Sequence, residues 1–187
     1  AHALLAAAEA IRGPFLVANA DDYYGRSSVA ALVEQGAGLP ADRALLAGFR
    51  LDRTLPEAGA VSRAICRVAG DELVSVTETH GIARTDGTIW AEEPPGPLDG
   101  GAVTSMNLWA FPHAVLTEVE AGFEAFLRDH GHDPSAEYLL PQLVQDLMAA
   151  GSLTVGVVPT DEAWTGITNP DDLAVTRARM AQLRPGG

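Results

Sequence analysis

Three short runs of this chain are apolar almost throughout: Phe15 to Ala18, Ala44 to Gly48 and Leu153 to Val158. The first is bounded by Gly13-Pro14 and Asn19. Runs of this length between turn residues read as strands, and runs apolar on both sides read as strands covered on both faces. Between them lie segments with helical spacing: Val29, Ala30, Leu32 and Val33; Leu116, Val119, Phe123 and Phe126; Leu140, Leu143, Val144 and Leu147. The pattern predicts an α/β fold, with a mixed, mostly parallel sheet and helices on both faces. The first strand delivers Asp21 and Asp22 to its carboxyl end. In open α/β sheets that edge lines the ligand crevice. Paired acids there suit a divalent metal and a phosphorylated ligand. The same pair would equally open a turn.

The rest of the chain supplies further elements. His2 to Ile11 is rich in helix formers and ends at Gly13-Pro14. Arg26-Ser27-Ser28 begins a helix that runs to Gly36. Val61 to Val68 and Leu73 to Thr77 alternate around Gly70-Asp71, a hairpin over 61–78. Gly81 to Trp90 reads as a strand pair around Asp86-Gly87, and Glu92 to Gly101, rich in Pro and Gly, as a loop beside the site. Val103 to Phe111 is a buried strand in which Asn107 stands out. A buried amide needs a hydrogen-bond partner, either a ligand hydroxyl or a neighbouring carbonyl. Trp109 is expected in the core. Helices follow from Pro112 and from Ala136 to Ala149, with a last one from Asn169. His130, His132 and Asp133 have the residue types of a metal site but fall in a polar inter-helix turn.

Composition narrows the function. A length of 187 residues implies one compact domain over 1–187. The net charge is −13, which argues against nucleic acid and against an anionic membrane surface. All 12 basic residues are Arg, so no lysine is present for a Schiff base or a phosphate clamp. No run reaches the length of a membrane span, and no leader pattern opens the chain. The single Cys66 fits a reducing cytoplasm and a buried strand position. The chain opens without Met, inside a helix, and reads as part of something longer. A homo-oligomer is left open.

The stretch Asn19-Ala20-Asp21-Asp22-Tyr23-Tyr24-Gly25 after its strand resembles the sugar-phosphate nucleotidyltransferases, the NDP-sugar pyrophosphorylases. Their signature there is Gly-Asp-Asn or Gly-Asp-Asp, and the family's metal aspartate falls on Asp21. The resemblance is closer still to a branch with Asn-Ala-Asp-Asp, Val-Ser-Arg, Ser-Met-Asn and Trp-x-Gly-x-Thr, matched here from Asn19, Val61, Ser105 and Trp164. It implies a Rossmann-like nucleotide-diphospho-sugar transferase fold and Mg²⁺ as cofactor. Asp21 and Asp22 would be catalytic, with Asp21 on the metal. Substrate contacts would come from Asn19, Tyr23, Arg63, Ala64, Glu78, Asn107, Glu137 and Trp164. Departures also count. Thr79 stands at the family lysine, Ala64 at its sugar-site glycine, and Gly166 at its second metal aspartate. Arg63 or His80 would then supply the cation, unless Arg63 is simply an exposed strand residue. Asp22 or Asp161 would supply the second acid. Ala1-His2-Ala3 resembles only the tail of the family's Gly-Thr-Ala motif, and the glycine-rich triphosphate loop would lie before residue 1.

The activity this implies is Mg²⁺-dependent transfer of a nucleotidyl group from an NTP to a sugar phosphate, with release of pyrophosphate. Two alternatives stand beside it. One is a type-A glycosyltransferase, against which the missing residue between Asp21 and Asp22 counts. The other is a non-catalytic nucleotide-sugar-binding or regulatory domain, favoured by the missing lysine and the missing second aspartate. The isolated chain is expected to be inactive.

Overall fold

The computed structural model describes residues 1–187 except 57, 135, 167–172, 174–175, 179–180 and 182–187. In chain order its strands are β1 (Phe15–Val17), β2 (Asp22–Tyr23), β3 (Arg43–Arg50), β4 (Val61–Ala69), β5 (Glu72–Thr85), β6 (Thr88–Glu92), β7 (Pro95–Leu98), β8 (Val103–Phe111), β9 (Thr154–Thr160) and β10 (Thr165–Gly166). The helices are α1 (His2–Ala7), α2 (Arg26–Gly36), α3 (Val115–His130) and α4 (Leu140–Ala149). The helix expected from Asn169 begins outside the described residues.

Strand periodicity places the core on both sides of the sheet. Along β3, Ala44 and Leu46 join one buried cluster, while Leu45, Ala47 and Phe49 join the other. β8 divides likewise: Trp109 and Phe111 face the first cluster, and Met106, Leu108 and Ala110 the second. This is the period of two expected when successive side chains leave opposite faces. Val115 and Val119 of α3 and Leu143, Val144 and Leu147 of α4 close the first cluster. Leu32 of α2 closes the second. The helices therefore do cover both faces, and Trp109 is fully buried in the core.

The strand directions depart from the expectation of a mostly parallel sheet. β1, β3 and β9 run one way, but β8 lies antiparallel between β1 and β3. Among the described ladders only β3–β9 is parallel. The cause is connection length. β4 to β7 follow one another through short turns, which can join only antiparallel neighbours. The hairpin over 61–78 is present, with β4 and β5 paired from Val61 to Ile82. Asp86 and Gly87 both take positive φ in the turn to β6, as such a turn requires.

Two element boundaries also differ from the sequence expectation. Glu92 to Gly101 is not a free loop, since β7 forms there and pairs with β6 at the sheet margin. Prolines suit such an edge, where a missing N–H costs no ladder bond. The helix expected from Ala136 starts at Leu140, with Pro141 in its first turn. Proline is tolerated there, and it keeps the preceding residues extended. β1 is half-buried rather than buried, because it has β8 on one side only.

Leu46 is fully buried between β8 and β9. Leu46→Ala is expected to cost about 2–5 kcal/mol, from lost transfer energy plus the cavity left behind. Urea unfolding followed by far-UV circular dichroism measures it. A change below about 1 kcal/mol, the range of a volume-conserving swap, would contradict this packing.

Candidate functional site

β8 is irregular where it matters. Leu46 pairs with Trp109 and Gly48 with Ser105, so Met106, Asn107 and Leu108 together oppose Ala47. Asn107 absorbs the extra length with φ of 60°. Bulges re-aim side chains, and Asn is among the few residues that accept this conformation. The start of β8 also pairs with β4, Ala64 opposite Ser105. The bulge, β4 and the segment after β1 enclose a cavity of about 240 Å³.

Asn19, Asp21 and Asp22 enter this cavity after β1, Arg63 and Ala64 from β4, and Glu78 from β5. Asn107 enters from the bulge and Trp164 from the segment before β10. Eight of the residues singled out from the sequence are thus gathered in one place, from positions 19 to 164. Tyr23 and Glu137 are not among its walls. Tyr23 pairs with Thr165 across the small β2–β10 ladder. Glu137 is exposed, in the extended segment that precedes the late start of α4. Ser62, Ser105, Met106 and Pro141 also line the cavity.

Arg63 is the only basic residue among the described cavity walls. It is not an exposed strand residue. Its Nη2 donates to the Thr54 carbonyl at 2.6 Å and its Nη1 to the Ser62 carbonyl at 2.8 Å. Its guanidinium carbon lies 4.9 Å from the centre of the Trp164 ring. A planar, delocalised cation can lie over such a ring and still donate in its own plane. Burial pulls the Arg63 guanidinium below its ordinary value, while Asp22 and Glu78 push it the other way. The group stays charged, since an arginine cannot be deprotonated in this range. His80 is engaged elsewhere: its Nδ1 lies 2.8 Å from Ser62 Oγ, and it is not part of the cavity wall. Thr79 is buried, with its hydroxyl on the Thr77 carbonyl.

The acids differ in their surroundings. Asp22 Oδ2 accepts from Asn19 Nδ2 at 2.9 Å and from the Tyr24 hydroxyl at 3.0 Å. The Asn19 amide N–H in turn donates to the Tyr24 oxygen at 3.0 Å. Asp21 is exposed beside this network. Gly166 lies opposite Asp22 in the β2–β10 ladder. A Cβ added at 166 would stand 2.5 Å from Asp22 Oδ1 and 2.4 Å from the Trp164 ring. No side chain fits there while Trp164 keeps its place under Arg63. Asp161 belongs to a different cavity, of about 440 Å³, with Ser27, Ser28 and Glu162.

Among the described residues no group of three or more His, Cys, Asp or Glu could hold a metal ion. His130 instead packs its ring against Phe126. Asp21 and Asp22 give the cavity wall two adjacent carboxylates. Their chemistry is that of Mg²⁺ ligands, since this ion takes one or two carboxylates and completes its shell with water and ligand phosphates.

Two residues without a local sequence signal fix the surroundings, one at Asp22 and one at the start of α2. Tyr24 is buried, and no spacing announces its hydroxyl bond to Asp22. Glu162 Oε1 accepts from both the Ser27 amide and the Ser27 hydroxyl, at 3.0 and 2.7 Å. It serves as the N-terminal cap that α2 lacks locally, since Gly25 precedes the helix. Gly25, at φ of 82°, has no room for a Cβ against the Glu162 side chain. The two Ser27 donors hold the Glu162 carboxyl below its ordinary value of 4.5. A depressed carboxyl contributes stability above its unfolded-state value and loses it as pH falls through the folded one. Glu162→Ala should therefore melt below the parent at neutral pH. The gap in melting temperature should close as pH drops below 4.5. A gap that is constant with pH would rule out the cap as its source.

The fold is that of nucleotidyltransferase structures. The chain superposes on the inositol-1-phosphate CTP transferase from T. maritima with TM-score 0.60 and 14% identity, over 99% of this chain and 62% of that one. A Bacillus anthracis protein assigned as a glucose-1-phosphate thymidylyltransferase, solved with sucrose, gives 0.58 and 12%, over 100% and 63%. The CTP:phosphocholine cytidylyltransferase from Streptococcus pneumoniae gives 0.56 and 10%, over 96% and 62%. The chain thus spans less than two thirds of the length of each. No sequence-family description matches it, and no curated protein does. Among the described residues no helix is long and apolar enough to cross a membrane.

Proposed function

We propose that this chain is the acceptor-binding part of a Mg²⁺-dependent sugar-phosphate nucleotidyltransferase of Rossmann-like fold, working in the cytoplasm. One observation carries the reading. The acid pair, the stacked arginine and the bulge asparagine share one cavity on a nucleotidyltransferase fold. A phosphate oxygen of the sugar phosphate attacks the α-phosphorus of an NTP. The α–β phosphoanhydride bond breaks, and pyrophosphate leaves with its electron pair. The attacking oxygen is already anionic, so no strong base is needed. That agrees with a cavity whose walls include no histidine among the described residues.

The chain's own groups divide the work by charge. Asp21 and Asp22 would hold Mg²⁺, whose charge offsets the polyphosphate in the transition state. Arg63, fixed on Thr54 and Trp164, meets the acceptor phosphate as a preset cation. Glu78 and Asn107 face the sugar hydroxyls from opposite strands, the carboxylate accepting and the carboxamide donating or accepting. Nucleotide binding falls to chain outside this one, and residues 1–187 alone are inactive on this reading.

The excluded side chain at 166 and the buried Thr79 favour one second reading, a nucleotide-sugar-binding domain without catalysis. Pyrophosphate release from the full-length protein, across a panel of NTPs and sugar phosphates, separates the two. The transferase reading expects release that falls by about a hundredfold or more in Asp21→Asn, as for loss of a main electrostatic contact. Binding of an NDP-sugar without turnover of any pair would leave the second reading standing. Transfer of a sugar from that NDP-sugar instead would mark a glycosyltransferase.

A further inference from the structure

The acid pair is asymmetric, and the asymmetry lies in the hydrogen bonds of one oxygen. Asp22 Oδ2 receives two donors, Asn19 Nδ2 at 2.9 Å and the Tyr24 hydroxyl at 3.0 Å. The direction of the second bond is fixed by a third. The Asn19 amide N–H donates to the Tyr24 oxygen at 3.0 Å. The phenol therefore turns its own proton to the carboxylate. Tyr24 is only 4% exposed, and its ring packs against Phe49 in the core cluster that includes Leu45 and Leu108. Its bond to Asp22 thus starts from a rigid support.

The other oxygen, Oδ1, differs in its surroundings. It takes no hydrogen bond among the described residues. Across the β2–β10 ladder stands Gly166, where a Cβ would come within 2.5 Å of it. Glycine places no side chain between this oxygen and the edge of the Trp164 ring. One oxygen takes two hydrogen bonds and the other none among the described residues, and both belong to a cavity-lining acid next to Asp21.

We propose that Tyr24 is a positioning residue: by holding Asp22 Oδ2 it presents Oδ1 to a divalent cation, and Asp22 rather than Asp161 becomes the partner of Asp21. This rests on the metal part of the function proposed above. Groups that orient a ligating carboxylate typically change metal affinity by 10–100-fold when removed. Tyr24→Phe deletes one oxygen and keeps the ring in the core. Asp22→Asn deletes the charge.

The test is Mn²⁺ binding to the full chain without nucleotide, read by water-proton relaxation, with near-UV circular dichroism to verify folding. Tyr24→Phe is expected to weaken Mn²⁺ binding by about tenfold. Asp22→Asn should weaken it at least as much, and Asp161→Asn not at all. Adding Tyr24→Phe to Asp22→Asn should then change nothing further, because the hydroxyl acts through that carboxylate. Parent affinity in folded Tyr24→Phe would overturn the proposal. So would losses that add in the double variant, or an effect of Asp161→Asn equal to that of Asp22→Asn. Absence of Mn²⁺ binding in the parent would overturn it as well. If Tyr24→Phe fails to fold, Asn19→Ala removes the other donor to Oδ2, and unchanged affinity there is equally fatal. Pyrophosphate release by the full-length protein is a separate measurement, so the positioning role and the transferase reading can fail independently.

Discussion

The antiparallel insertion of β8 between β1 and β3 governs this molecule. One strand pairs with β1 at its end, with β4 at its start and with β3 along most of its length. Its alternating side chains fill both cores. Such a strand has little freedom to slip, because a shift by one residue would exchange its two faces. It does not run smoothly, however. The surplus residues around Asn107 are pushed out of register where three chain segments converge. The cavity sits at that defect, between two well-packed layers. Stability and site are therefore arranged by the same strand, with regular pairing at one end and broken pairing near the other.

Much of this is legible in the sequence, for reasons that can be assigned to particular residues. Apolar runs such as Ala44 to Gly48 declare strands covered on both sides, and β3 has one core on each face. The Gly70-Asp71 turn declares its hairpin. Strand direction does not follow, because β8 finds its neighbours through long-range pairing that no local pattern records. β7 is hidden by its own prolines, which suit an edge as well as a loop. The acid pair is visible in residue types and spacing. Arg63 is ambiguous in sequence, since neither Thr54 below it nor Trp164 beside it can be inferred from its neighbours along the chain. Tyr24 and Glu162 stay hidden for the same reason. The bond from Ser27 to Glu162 spans 135 residues, and nothing near either end announces it.

On the proposed function, an acidic chain without lysine has to meet an anionic ligand in this cavity. Its net charge of −13 would repel a phosphate at long range. Attraction has to be local, from a guanidinium partly withdrawn from water and held against an aromatic face. Desolvation strengthens that charge toward whatever enters, at the cost of needing carbonyl acceptors to hold it.

Glu162 and Trp164 lie on one short segment, two residues apart. One grips the first turn of α2, and the other carries the cation of the cavity. The segment thus ties the start of α2 to the wall of the cavity. Support of the cavity's cation and capping of α2 therefore depend on the same few residues of backbone.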